Sequence, residues 1–210
     1  MNDNERRAPE WRRLLGEFFA PRLGGKAAAW AEANRTAFAA SWERFVEEQQ
    51  RPGEGSGVAG FVRRDREEWL AAMCAFVGVA QPHDLEATAR EAQRFVCTNA
   101  RSAIPGVTDR LRALAARGVR LHTASNQESW QLDAYLRGMG VRGLFDRLYG
   151  PDLVDRWKNG PHYYRAILDD SGTDATRAAV VEDSATIRAF AEACGLRAFG
   201  TLADALAALG

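Results

Sequence analysis

No run among the 210 residues approaches the about 20 consecutive apolar residues that a membrane-spanning helix needs. The start, Met1 to Arg7, is polar and charged, without the apolar core of a secretory signal. No membrane partner is therefore expected. Cysteine is scarce. Cys74, Cys97 and Cys194 lie far apart with no Cys-x-x-Cys spacing, which argues against a disulfide framework or a zinc set. Reduced, packed thiols in a cytoplasmic protein are the expectation. Net charge is absent too: 28 Lys and Arg balance 28 Asp and Glu. No field draws nucleic acid, and none is expected as a partner. Lysine is nearly missing, at Lys26 and Lys158 alone, so Lys158 stands out among the arginines. Finally, no two aspartates anywhere are separated by a single residue.

What is present is ordinary globular material: 46% hydrophobic and 27% charged residues. The length suits one domain, or one core with a helical insertion, and nothing in the composition fixes an oligomeric state. Residues 1–10, polar and carrying Pro9, read as a flexible arm. From Trp11 to about Ala100 the rhythm is helical. Trp30, Phe38, Trp42 and Phe45 form one stripe, predicted to be core, on a helix ending before the Gly-rich loop of residues 51–57. Further helices are expected over Arg66–Val77 and Asp84–Cys97.

After Ile104-Pro-Gly the pattern changes to alternating strands and helices. Strands are expected at Val119–Ala124, within Leu144–Tyr149, at Ala178–Val181 and at Arg197–Phe199. Helices are expected over Val107–Arg117, Gln127–Met139, Pro161–Leu168, Ser184–Cys194 and Thr201–Leu209. That alternation predicts an α/β fold with a Rossmann-like, doubly wound parallel sheet. The predicted organisation is a helical region over 11–100 and an α/β core over 101–210.

Three segments carry chemistry. Leu121-His-Thr-Ala-Ser-Asn126 is a strand ending in a hydroxyl and an amide just before a helix, a good place for an oxyanion. Ser125 or Asn126 would also serve simply as the cap of that helix. Lys158, in a turn before the helix at His162, could reach a bound phosphate as a point charge, or be a solvated lysine. Ala178-Ala-Val-Val-Glu-Asp-Ser184 delivers two adjacent carboxylates to a strand end, where Glu182 and Asp183 could hold Mg²⁺. The alternative is that Asp183 or Ser184 caps the next helix.

Other features carry blander readings. Gly138-Met-Gly-Val-Arg-Gly143 matches a dinucleotide fingerprint in letters, but it follows a helix rather than a strand and reads as a turn. His122 reads as a satisfied core histidine rather than a base, Cys194 as a packed thiol, and Arg63-Arg64 as a solvated pair.

The ordered set is more specific than its parts. Ile104-Pro-Gly-Val, then Ser125, Lys158, Val181-Glu-Asp-Ser184 and Ala193-Cys-Gly195 resembles the back half of the haloacid dehalogenase-like hydrolases over roughly residues 100–200. The helical stretch before Ala100 is similar to that family's inserted C1-type cap. The resemblance places Ser125 and Lys158 in catalytic roles, Asn126 beside the substrate, and Glu182 and Asp183 at the metal. It implies Mg²⁺-dependent hydrolysis of a small phosphorylated metabolite through an aspartyl-phosphate, with a cap that excludes water and selects the substrate. A haloacid dehalogenase is a further reading.

The resemblance also exposes a gap. The family's nucleophile sits in a buried strand followed by Asp-x-Asp-Gly ahead of the cap, and no such segment occurs here. That strand would be central in the sheet, so its neighbours should show unpaired backbone and apolar surface. Two explanations compete: a segment belongs upstream of Met1, or this is a non-catalytic relative that binds a ligand or partner. The survival of Ser125, Lys158, Glu182 and Asp183 points to the first, and the 210-residue chain is expected to be inactive.

Overall fold

The computed structural model describes residues 3–50 and 57–208. The Gly-rich loop expected over 51–57 lies outside the described residues except for Gly57. The chain divides into two compact units. One gathers Met1–Arg51, Ala59–Ile104 and Trp130–Gly140; the other gathers Pro52–Val58, Pro105–Ser129 and Val141–Gly210.

The helical unit is built from α1 (Asn4–Leu23), α2 (Ala27–Gln50), α3 (Val58–Val77) and α4 (Leu85–Asn99). Residues 1–10 are not the arm expected. Asp3 accepts hydrogen bonds from the N–H groups of Glu5 (2.9 Å) and Arg6 (3.3 Å) and so starts α1 seven residues before Trp11. Asp84 starts α4 in the same way, accepting from Ala87 N–H at 2.8 Å. The core between these helices is aromatic. Phe19 stacks on Trp30 at 4.7 Å between centroids, with Phe18, Trp69, Leu70 and Met73 buried around them. The indoles are satisfied: Trp30 donates to Gly24 O (2.8 Å) and Trp69 to the buried Asn34 (3.1 Å).

The stripe on α2 is only partly core. Trp30 is fully buried, but Phe38 and Trp42 are 54% and 55% exposed. Burial on α2 is confined to Trp30, Ala33, Asn34 and Ala37, the first half of a 24-residue helix.

The rest of the chain runs α5 (Val107–Ala116), β1 (Leu121–Ala124), α6 (Ser129–Gly138), β2 (Phe145–Tyr149), α7 (Pro151–Val154), α8 (Pro161–Ser171), β3 (Ala179–Val181), α9 (Ala185–Glu192), β4 (Arg197–Phe199) and α10 (Leu202–Ala208). Most of α6 groups with the helical unit rather than with the core half expected from sequence. It approaches the end of α4 at Gly138, where a Cβ would sit 2.3 Å from Thr98 O.

All strand pairing is parallel, as expected for an α/β core. β1 pairs with β2, with Thr123 opposite Leu148, and β3 pairs with β4, with Val180 opposite Ala198. Among the described residues no ladder joins the two pairs, so the expected single sheet is two two-stranded sheets. β3 is more open to solvent than a parallel strand usually is. Parallel strands are ordinarily buried on both faces, yet Val181 is 44% exposed. Behind β3 and β4 a small core forms from Tyr163, Tyr164, Ala191 and Leu196.

Candidate functional site

The carboxyl ends of β1 and β3 meet at one side chain. Lys158 Nζ donates to Ala124 O, the last residue of β1, at 2.9 Å. It also forms an ion pair with Glu182, the first residue after β3. Both side chains are 11% exposed, so the pair is largely desolvated and each charge depends on the other. The lysine is therefore not the solvated residue its neighbours in sequence would allow.

Asn126 fixes the turn that carries the lysine, its Oδ1 accepting from Lys158 N–H at 2.8 Å. Neither Ser125 nor Asn126 caps α6. That position is served by Asp152, which accepts from Ser129 N–H at 2.8 Å and from the Ser129 hydroxyl. Ser125 instead closes a local turn, its Oγ accepting from Gln127 N–H at 3.0 Å. Gly150 lets this turn lie close against the end of β2: a Cβ there would meet Gln127 O at 2.3 Å.

Tyr163 holds the turn from below, a role no sequence signal announced. Its hydroxyl accepts from Ser125 N–H (2.9 Å) and lies 3.0 Å from both Ser125 O and Tyr149 O, to either of which it can donate. Burial pushes this phenol far above its ordinary range, so it is neutral at any working pH.

On the β3 side, Glu182 N–H donates to Phe199 O at 2.9 Å, and its Oε1 accepts from Ser184 N–H at 3.1 Å. Arg188, also unforeseen, donates to Glu182 O (2.7 Å) and Asp183 O (2.9 Å), pinning the backbone between the two carboxylates. Ser184 caps α9 through Ile187 N–H at 3.4 Å. Asp183 is exposed.

The structure thus brings Ser125, Asn126, Lys158, Glu182 and Asp183 into one cluster at strand ends. Its donors toward a metal are carboxylate oxygens, which suit a hard cation such as Mg²⁺ held by one or two carboxylates plus water and substrate oxygens. Among the described residues no group of three or more His, Cys, Asp or Glu gathers to hold a metal ion. Cys194 donates to Pro161 O at 3.2 Å, and burial raises its thiol, as expected for a packed cysteine. His122 Nδ1 is buried without a partner, so the core histidine is not a satisfied one.

Residues 9–195 match the protein family described as haloacid dehalogenase-like hydrolase. The chain belongs to this family. A phosphoglycolate phosphatase from Rhodospirillum rubrum is 32% identical over 170 residues, covering 75% of this chain and 66% of that relative. The chain thus spans slightly less than two thirds of that relative's length. Among solved structures, the HAD-hydrolase YfnB from Bacillus subtilis is similar at a TM-score of 0.64 with 16% identity, covering 100% of this chain and 93% of that one. The L-2-haloacid dehalogenase RSc1362 is similar at 0.60 with 19% identity and the same coverage. These two likenesses establish the fold of this haloacid dehalogenase-like hydrolase. Among the described residues no helix is long and apolar enough to cross a membrane.

Proposed function

We propose that this haloacid dehalogenase-like chain carries the phosphate-handling part of a Mg²⁺-dependent phosphatase for a small phosphorylated metabolite. The observation that carries the reading is Lys158: a nearly buried ammonium placed at two strand ends, with acidic groups beside it. The identity to a phosphoglycolate phosphatase supports the same substrate class. Lys158 would bind phosphoryl oxygens and offset their charge. Ser125 would donate its hydroxyl proton to the same oxygens, since its Oγ only accepts in the turn. Asn126 would orient the lysine turn from beside the substrate. Asp183 and Glu182 would hold Mg²⁺, which when bound supplies positive charge to the phosphoryl group. The free thiols fit a cytoplasmic setting.

The covalent step of such a phosphatase needs a carboxylate nucleophile, which takes the phosphoryl group before water releases it. No residue of this chain is assigned that role, and the 210 residues are proposed to be inactive alone. A second reading, a non-catalytic ligand- or partner-binding protein on the same fold, draws on the absence of any Asp-x-Asp pair.

The test is phosphate release from 2-phosphoglycolate and other small esters, with Mg²⁺, by protein taken from its native source and by the 210-residue chain. Release by the first only is expected. Release by neither would favour the binding reading, and strong release by the second would overturn the proposed inactivity. Halide release from a 2-haloacid would replace the phosphatase reading with a dehalogenase.

A further inference from the structure

The helical unit holds a second concentration of positive charge, unconnected with any motif read above. α4 places Arg90 and Arg94 one turn apart on its exposed side, while Ala89, Ala92 and Val96 are buried. Both guanidinium groups converge on the ring of Trp130, with Cζ 5.1 Å (Arg90) and 5.6 Å (Arg94) from its centroid. Arg66, from α3, is the third cation on the same ring at 5.9 Å.

The three arginines are not equivalent. Arg66 is 6% exposed and donates through Nε (3.0 Å) and Nη2 (2.8 Å) to Glu86, so its charge is met inside the protein. Among the described residues, the guanidinium groups of Arg90 and Arg94 make no ion pair or hydrogen bond. The ring face attracts them but brings no net charge, so two full positive charges stand side by side. Like charges at this helical spacing repel. Trp130 adds an unused donor: its Nε1 is shut off from solvent and meets no acceptor.

We propose that Arg90 and Arg94, held by Trp130, bind an oxyanion of the phosphate class. Each guanidinium presents a planar fork of N–H groups that matches a pair of oxygens. Two forks one turn apart offer more donors than a single carboxylate can accept, and a phosphate group supplies at least three acceptor oxygens. The anion removes the repulsion between the forks. The same chemistry is offered by free phosphate and by the phosphate of a larger metabolite.

Trp130 makes its own reporter. Inorganic phosphate is titrated into the whole chain at constant ionic strength, with chloride as the balancing anion, and tryptophan emission is compared with that of Trp130→Phe. A saturable change present in the wild type and absent from Trp130→Phe is expected. Its midpoint should rise about tenfold or more in Arg90→Gln/Arg94→Gln, since two charge-assisted contacts are lost. Both arginines are exposed, so this double variant should keep the fold, checked by circular dichroism. No saturable change at Trp130, an equal response to chloride alone, or a midpoint unmoved in the double variant would each overturn the proposal. Repeating the titration with 2-phosphoglycolate separates the sources. An equal midpoint supports a site that reads phosphate alone, and a lower one supports a site that also reads the rest of the metabolite.

Discussion

The two units solve the same problem with different materials. The helical unit is held by an apolar core in which Phe18, Phe19, Trp30, Trp69, Leu70 and Met73 are almost wholly buried, and in that core Gly24 O and Asn34 Oδ1 serve the Trp30 and Trp69 indoles. In the α/β unit the strands are short and β3 is exposed. The ends of β1 and β3 are tied by a desolvated Lys–Glu pair, a tyrosine hydroxyl and an arginine bridging two carbonyls. Apolar burial tolerates approximate placement, whereas a buried charge tolerates none. The unit that carries the candidate chemistry is thus the one whose stability depends on individual polar contacts.

Mutations can break that comparison. Trp30→Ala should have the largest effect, a loss of about 3–5 kcal/mol in urea unfolding, because it empties the centre of the aromatic core. Next is Lys158→Met, with a loss of about 3 kcal/mol, since Glu182 is then left charged and nearly buried. Removing both charges, as Lys158→Met/Glu182→Leu, should recover most of that loss. A double variant no better than the single one would mean the polar cluster is not what holds the strand ends. Tyr163→Phe should cost about 1–2 kcal/mol by stranding the Ser125 turn. The smallest effect belongs to Trp42→Ala, expected within about 0.5 kcal/mol. Trp30 and Trp42 share one helix, so their contrast tests burial rather than residue type.

That same helix shows where sequence reading stops. Apolar spacing located α2 and its stripe, but a stripe reports only which side is apolar, not how far along its length something packs. At about 1.5 Å per residue, 24 residues span about 36 Å, and the core contacts only the first half. In the α/β unit, strand positions were legible because apolar runs ended at Gly, at Ser-Asn or at an acidic pair. Ser125, Asn126, Glu182 and Asp183 stood out by their places at strand ends, and Lys158 as a rare lysine in a turn before a helix. Their mutual contacts were not, because the Asn126 bond to Lys158 N–H spans 32 residues with no local signature. Tyr163 and Arg188 escaped for a related reason: a tyrosine in a helix and an arginine one turn in look like any others until the backbone atoms they meet are known. The start of α1 was misread because Pro9 and polar residues suggested an arm, while Asp3, ahead of Pro9, acts as a cap.

The sharing of Lys158 has a thermodynamic consequence. One ammonium cannot give its full charge both to Glu182 and to an incoming anion. Whatever draws Glu182 away leaves Lys158 with more charge to offer, and whatever anion engages Lys158 leaves Glu182 more receptive to a cation. Occupancy by opposite charges at this junction is therefore coupled, and the coupling must be of equal size in both directions. On the proposed function, the resting ion pair would be a self-inhibited state, in which neither partner is fully available until the other has been given something else to hold.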